Sequence, residues 1–532
     1  MKSISELKLG YKDAENYKRR ENKEMFNQIF LRTPDLEKLC ESHNYFLIGE
    51  KGTGKTAYAV YLSNTGYKDN LSSIKYLRET EYSKFVALKK AKQLTLSDYT
   101  NIWKVLIYLL MAQQVKDKEI GLTIEKFFRF RNLSNAIDAY YQNAFNPEII
   151  YAMQFVEESS IAAKILSDFA KLGGEAKDTV TFTESRFQIN LMYIQKEFEE
   201  AFSSLKLSQN HILFIDGIDI RPTGIDYDDY LDCIKGLANA VWSINTDFFG
   251  NIRDSKGRMR VVLLVRPDIF NSLGLQNQNS KLRDNSIVLT WNTTYREYRS
   301  SPLFLMVDKL LTYEQPKDLN AGQTWDYYFP FDAKNVISKQ EFGSSFIIAL
   351  RYSLYRPRDF MTILEVLREN VVEQKEGHSQ LVFSETDFGN PAFTRKLSDY
   401  LIGEVKDQLM FYHSSEEYEL FLKFFQFLDG KFLFSYQEYI SSFEKFERFL
   451  KKNSIATPSF FTTPDNFLQF LYELNVVCYI VDTYNEPFFG WCFRDRTLSN
   501  IAPKVKTEAR YEIHYGLRKA LDLGRTLFQK GG

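Results

Sequence analysis

The sequence predicts an α/β fold in which a parallel sheet is covered by helices on both faces. Short, continuous apolar runs recur through the first half of the chain, and a glycine-rich segment lies between the first run and a helical pattern. Longer stretches with apolar residues at helical spacing separate the runs. Continuous apolar runs without polar alternation are typical of strands that are buried on both faces, as in parallel sheets.

The apolar runs are the expected strands of this sheet. They are Tyr45–Ile48, Ile74–Leu77, His211–Ile215, Arg260–Val265 and Ser286–Thr290. A helix is expected to begin at Thr56. Strands that alternate with helices in this way indicate parallel pairing.

The segment after the first run reads GEKGTGKT and has the G-x-x-x-x-G-K-[ST] pattern of a phosphate-binding loop. Its glycines allow successive main-chain N–H groups to point into one concavity that holds an anion. Lys55 is expected to reach the β- and γ-phosphates, and Thr56 to offer its hydroxyl to Mg²⁺, at a helix N-terminus that favours the anion. The pattern predicts ATP and Mg²⁺ as ligands, and no N-K-x-D motif for guanine occurs. The residues expected to bind the nucleotide are Gly49, Glu50, Lys51, Gly52, Thr53, Gly54, Lys55, Thr56 and Ala57.

The run HILFID ends in Asp216, the acid that a phosphate loop requires to hold the shell of Mg²⁺. Asp216 and Thr56 are therefore the predicted metal residues. Many such ATPases carry an acid directly after this aspartate, whereas here Gly217 follows. Asp219 is the next acid, and it either orients the attacking water or caps the following turn. In the second case hydrolysis is slow and the site acts as a binding switch.

Two further features of this region bear on function. Arg266 follows the run Arg260–Val265 and is expected either to sense the γ-phosphate or to pair with a neighbouring acid. Between the second and third strands lies a long helical insertion at about residues 88–195, with apolar residues at helical spacing around Trp103 and a similar segment at Ser159–Leu172. It is a natural surface for a partner or effector, and it has no catalytic pattern.

Composition restricts the remaining function classes. The chain has 532 residues and a net charge of −1, so it fits several globular domains and has no overall attraction to nucleic acid. Its four cysteines show no C-x-x-C spacing, which argues against a zinc site. The N-terminus has no apolar signal region and no long apolar stretch occurs, so a cytoplasmic location without membrane contact is expected.

The segments IGEKGTGKTA, FIDGID, VVLLVRPDIF and LYRPRDFMTIL resemble a family of bacterial P-loop ATPases described as FunZ proteins. That family is similar to the AAA+ and STAND classes. The resemblance spans most of the chain, but only the phosphate loop and the Asp216 strand are highly specific. It implies a P-loop NTPase sheet of the ASCE/AAA+ type with a helical lid. The implied role is a conformational switch or motor in DNA transactions or anti-phage defence.

The resemblance also implies roles for several basic residues. Arg358, with Arg356 as the adjacent alternative, matches a lid arginine that touches the nucleotide, although RPRD is also a good proline-led helix start. Lys281 and Arg283 match an arginine finger that would require a homo-oligomer, and a solvated loop charge is the alternative.

The predicted domains are an N-terminal helical segment (1–40), the P-loop domain (41–295), a helical lid (296–382) and a C-terminal helical and winged-helix-like domain (383–532). In the last of these, Val476–Val481 and Phe488–Phe493 are expected strands. The stretch Arg494–Lys530 is locally basic, which suits double-stranded DNA, whereas a protein-docking module is the alternative.

Two functions remain open from sequence. The first is a Mg²⁺-dependent ATPase, converting ATP to ADP and phosphate, that acts as a switch. The second is a nucleotide-stabilised binding module for DNA or an effector protein, with negligible hydrolysis.

Overall fold

The computed structural model describes residues 1–77, 96–119, 131–133, 135–136, 184–219, 221, 225–253, 255–274, 278–316, 319–332, 344–373, 380–483, 487–497 and 500–524. The α-helices in these ranges are, in chain order, α1 (Lys23–Ile29), α2 (Pro34–Leu39), α3 (Lys55–Thr65), α4 (Leu96–Glu119), α5 (Glu184–Ser203), α6 (Tyr227–Ser243), α7 (Pro267–Ser272), α8 (Gln278–Asn285), α9 (Pro302–Thr312), α10 (Gln323–Tyr328), α11 (Phe346–Tyr352), α12 (Pro357–Glu373), α13 (Glu385–Gly389), α14 (Pro391–Met410), α15 (Ser415–Phe424), α16 (Tyr436–Lys452), α17 (Pro464–Glu473) and α18 (Cys492–Asp495). None of them is both long and apolar enough to cross a membrane.

The chain divides into two compact units. The parallel-sheet unit comprises Pro34–Gly49 and Lys55–Leu289. The helical unit comprises Met1–Thr33, Glu50–Gly54 and Thr290–Gly532. The division therefore assigns the middle of the phosphate loop, residues 50–54, to the helical unit.

The parallel-sheet unit contains five strands, which are β1 (Phe46–Ile48), β2 (Asn70–Tyr76), β3 (Asn210–Asp216), β4 (Met259–Val265) and β5 (Ser286–Val288). Their order is β2-β3-β4-β1-β5, and every pairing is parallel. β1 and β4 are buried along their whole length, as expected for inner strands. The prediction of an α/β fold with a parallel sheet is confirmed.

The register brings the carboxyl ends of the central strands to one edge. Ile48 lies level with Val265, and Ile215 lies level with Leu263. The residues that follow β1, β3 and β4 therefore share this edge of the sheet. In open parallel sheets, ligands bind at the carboxyl ends of strands.

Some predicted boundaries differ from the structure. β2 begins at Asn70 rather than Ile74, because it pairs along its whole length with β3, from Asn70–Asn210 to Tyr76–Asp216. Within the predicted insertion, α4 and most of α5 are described, and Trp103 on α4 donates its indole N–H to the carbonyl of Cys233 at 3.2 Å. Ser159–Leu172 lies outside the described residues.

The helical unit contains a second, antiparallel sheet made of β6 (Leu433–Ser435), β7 (Val477–Val481), β8 (Phe488–Gly490) and β9 (Arg510–Ile513). The order is β6-β9-β7-β8. The predicted strand Phe488–Phe493 ends at Gly490, and Cys492–Asp495 is helical instead. The sequence did not predict β6 or β9, and β9 lies between β6 and β7.

Stacked aromatic rings anchor the N-terminal part of α12. Phe360 on α12 stacks on Phe346 of α11 with ring centroids 4.9 Å apart, and Phe346 contacts Trp325. Trp325 in turn stacks on Phe329 at 4.0 Å. Because all four rings are buried, they hold the start of α12 firmly within the helical unit.

Candidate functional site

The phosphate loop leaves β1 at Gly49, whose N–H donates to the carbonyl of Val265 at 3.1 Å. Gly52 and Gly54 have φ angles of +88° and +94°, which glycine adopts without steric cost. Among the described residues, neither of these two N–H groups finds an acceptor. Unsatisfied N–H groups in a left-handed loop form a concavity that attracts anions.

Lys55 begins α3 and is almost fully buried, with 6% of its surface exposed. Its ammonium group donates to the carbonyl of Gly49 at 2.8 Å and lies 3.5 Å from the carboxylate of Asp219. These two contacts hold the ammonium group beside the start of the phosphate loop.

Thr56 and Asp216 meet directly. The hydroxyl of Thr56 donates to Asp216 Oδ2 at 2.6 Å, and the N–H of Gly217 donates to Asp216 Oδ1 at 2.8 Å. Burial raises the pKa of Asp216, while the hydrogen bond from Thr56 opposes this shift. A hydroxyl and a buried carboxylate are hard oxygen donors that suit Mg²⁺, and a cation here would offset the burial of the carboxylate charge. The residues thus fit the predicted metal.

The backbone explains why no acid follows Asp216. Gly217 has a φ of +92°, and a Cβ built on it would lie 2.5 Å from the carbonyl oxygen of Leu77. The N–H of Leu77 donates to the carbonyl of Asp216 at 2.8 Å, so these two backbones are held close together. A glutamate at position 217 would require this contact to open.

Asp219 lies beside Lys55, as the 3.5 Å separation shows. Its other oxygen, Oδ1, is buried and has no hydrogen-bond partner among the described residues. A buried, unsatisfied carboxylate oxygen is costly and is most often completed by a water or a ligand. This arrangement suits a group that orients a water, the first of the two alternatives for Asp219, and its role stays a prediction.

Arg266 follows β4 and is buried, and both of its guanidinium ends contact the carboxylate of Asp268, one of them at 3.0 Å. Asp268 lies in the first turn of α7, two residues later. The predicted pairing with a neighbouring acid is thus observed. A sensor role for Arg266 would require exchange of this partner and stays a prediction.

Within the helical unit, the two arginines before and in α12 hold the backbone of the phosphate loop. Arg356 donates to the carbonyl of Lys51 at 3.0 Å while its remaining nitrogens bind Asp359. The main-chain N–H of Arg358 donates to the carbonyl of Gly52 at 3.3 Å. The nitrogens of the Arg356 guanidinium all have partners here, whereas the side chain of Arg358 is 28% exposed.

Other residues of the same unit bind the variable positions of the loop. The indole N–H of Trp291 donates to the carbonyl of Thr53 at 2.8 Å. Glu50 forms an ion pair with Arg496, which follows α18. Lys51 pairs with Asp407 and with Glu404, the latter at 3.4 Å, on α14. In this motif the variable positions contribute main-chain N–H groups to phosphate binding, so their side chains are available for these contacts.

Two arginines of the predicted basic surface after Arg494 pair with acids of the same module. Arg510 pairs with Asp482, and Arg518 pairs with Glu512. The guanidinium of Arg494 lies 5.8 Å from the ring centre of Tyr355. Arg525 and Lys530 lie outside the described residues.

The helix that would enter a DNA groove in a winged helix corresponds to α17, which follows α16 and precedes β7. It carries Asp465 and Glu473 and has no lysine or arginine. DNA binding stays a prediction, and the placement of these side chains gives it no support.

Lys281 and Arg283 lie on α8, immediately before β5, and not on a loop. The side chain of Arg283 is exposed. The arginine-finger role implied by the resemblance stays a prediction, because it depends on a second copy of the chain.

Several site residues were missed from sequence. Glu404, Asp407 and Arg496 lie more than 340 residues from the loop positions that they contact, as the separation of 356 between Lys51 and Asp407 illustrates. A charge pair at such a separation leaves no spacing pattern. Gly217, in contrast, stands out in the sequence as a glycine in place of an expected acid, and the structure adds the backbone contact that requires it.

Comparison with known proteins gives no family assignment: no protein-family model matches the chain, and no curated protein matches it.

Proposed function

We propose that this protein is a Mg²⁺-dependent, ATP-binding P-loop NTPase that acts as a conformational switch. The observation that carries the proposal is the contact of Thr56 with Asp216 at 2.6 Å beside the buried Lys55. These three residues come from the two sequence motifs that phosphate and magnesium binding require.

The strand order supports the ASCE type of P-loop fold. In that type a strand lies between the strand before the phosphate loop and the strand that ends in the magnesium carboxylate. β4 occupies this position between β1 and β3. Its carboxyl end carries Arg266 at the sheet edge shared by Gly49 and Asp216, where a sensor of the γ-phosphate would be useful.

The contacts of the loop within the helical unit support a switch. Arg356 and Arg358 bind loop carbonyls, and both belong to the lid that the sequence predicts. A shift of the loop backbone on phosphate binding or release would therefore move the start of α12. Closure of a lid over a bound nucleotide, and its opening after hydrolysis, is a common way to transmit the state of the site.

A second function is favoured by Gly217. Because the structure leaves no room for a side chain there, the usual position of the catalytic acid is closed. If Asp219 does not orient water, the nucleotide would stabilise a binding module and would turn over negligibly. The partner would then be an effector protein or a second copy of the chain.

The binding site is tested by measuring the affinity for ATP by calorimetric titration, once with Mg²⁺ and once with EDTA. We expect tight binding by the wild type only with Mg²⁺, and loss of most of this Mg²⁺ dependence in Thr56→Ala. Thr65→Ala, at the other end of α3, is the matched control, since its hydroxyl donates to the carbonyl of Tyr61 in its own helix. Equal Mg²⁺ dependence in Thr56→Ala and wild type would refute the metal assignment.

ATP turnover separates the two functions. The switch predicts measurable turnover that falls about 100-fold in Asp219→Asn, the lower range for loss of a positioned acid or base. Asp228→Asn, an exposed acid in the first turn of α6, is the control. Tight binding with no turnover by the wild type would favour the binding module.

A further inference from the structure

Glu404 on α14 lies among three cations. Its carboxylate is 3.4 Å from Lys51, 3.6 Å from Arg356 and 3.7 Å from Arg358, and the side chain is 11% exposed. Lys51 belongs to the phosphate loop, and the two arginines bind carbonyls of that loop. A nearly buried anion therefore faces three cations at the variable part of the loop.

These contacts are electrostatic and are not fixed by hydrogen bonds. All three distances exceed the 2.7–2.9 Å range of charge-assisted hydrogen bonds, and Glu404 Oε2 is buried without a hydrogen-bond partner among the described residues. By comparison, Arg356 binds Asp359 at 2.7 Å. Glu404 is thus a loosely held counter-anion that a better acceptor could replace.

Arg358 is the cation able to change partner. Arg356 is held by Asp359 and by the carbonyl of Lys51, and Lys51 also has Asp407. The main-chain N–H of Arg358 is bonded to Gly52, whereas its side chain is 28% exposed and its guanidinium has Glu404 as its carboxylate contact.

We propose that Glu404 is an internal substitute for the γ-phosphate, which holds Arg358 until a nucleoside triphosphate binds. The inference rests on the proposed function, and it adds that Glu404 sets the preference between tri- and diphosphate. A γ-phosphate offers three strong acceptor oxygens that match the fork of a guanidinium, which the diphosphate lacks. Competition from Glu404 therefore lowers the affinity for ATP and leaves that for ADP little changed.

The test is the ratio of ATP to ADP affinity in Glu404→Gln, which keeps the shape of the side chain and removes its charge. We expect the ratio to rise about fivefold over the wild type, the scale of one partly exposed charge pair. Glu373→Gln is the matched control, because Glu373 also forms an ion pair with α14, through Lys396, but is 65% exposed and does not contact the loop. Its ratio should equal that of the wild type.

A double variant identifies the partner. In Arg358→Gln the ratio should fall, and adding Glu404→Gln should then have no further effect, because the cation that Glu404 is proposed to release is absent. An unchanged ratio in Glu404→Gln, or equal weakening of ATP and ADP as a purely structural role would give, overturns the inference while the proposed function stands. Failure of the wild type to bind ATP overturns both.

Discussion

Replacing Gly217 with alanine should destabilise the protein by about 3 kcal/mol. A left-handed conformation costs a residue with a Cβ roughly 1–2 kcal/mol, and the φ of Gly217 is +92°. The new Cβ would also lie 2.5 Å from the carbonyl oxygen of Leu77, which is backbone and can yield only if β2 and β3 separate. Overpacking of this kind costs about 1–3 kcal/mol more.

Urea unfolding of the two matched glycine variants measures this cost. Gly274, in the same unit, has a φ of +55°, and no atom of the described residues lies within 4 Å of a built Cβ, so Gly274→Ala should show the conformational cost alone. The difference between the two variants isolates the contact with Leu77. Equal losses in Gly217→Ala and Gly274→Ala would refute the reasoning. For the same reason, Gly217→Glu should not raise ATP turnover.

Three further outcomes are expected. Burial raises the pKa of Asp216 above 3.8. The folded protein therefore loses stability as pH rises through this pKa and the carboxylate becomes charged. At pH 7, Asp216→Asn should unfold at a higher urea concentration than the wild type, while losing Mg²⁺-dependent ATP binding. Burial lowers the pKa of His514 from 6.5 to about 4. Protonation of the unfolded chain at this residue should therefore cost the wild type about 1.4 kcal/mol of stability per pH unit between these two pKa values. His514→Gln lacks this contribution and should lose less stability than the wild type between pH 7 and 5 in the same assay. Trp291→Phe removes the hydrogen bond to Thr53, and titration should show ATP binding weakened about fivefold.

The strands of the parallel sheet could be predicted from the sequence where burial on both faces makes every residue apolar. Residues 212–215 and 261–265 are continuous apolar runs, and they form most of β3 and β4. The first half of β2 was missed because Ser72 and Ser73 interrupt the apolar pattern, and its extent comes from pairing with β3. β9 alternates between exposed or half-buried and buried residues over only four positions, RYEI, which is too short to distinguish from a loop.

Some residues of the candidate site could likewise be predicted from the sequence, and others could not. Lys55, Thr56 and Asp216 could be predicted because phosphate and metal binding demand fixed residue types at fixed spacing. The contacts of Glu50 and Lys51 could not, since the side chains at variable motif positions are free to take any partner that the tertiary fold supplies. The same holds for the choice between Arg356 and Arg358, which depends on which guanidinium Asp359 occupies.

The most direct test of the central claim is the binding of radiolabelled ATP, with Mg²⁺, to the wild type and to Lys55→Ala. The ammonium group of Lys55 is buried beside the phosphate loop, where a methyl group cannot replace its charge. The account predicts saturable binding by the wild type and at least a tenfold weaker affinity in the variant, about 1.4 kcal/mol for one charge-assisted contact. Equal binding by both proteins, or no binding by either, would contradict it.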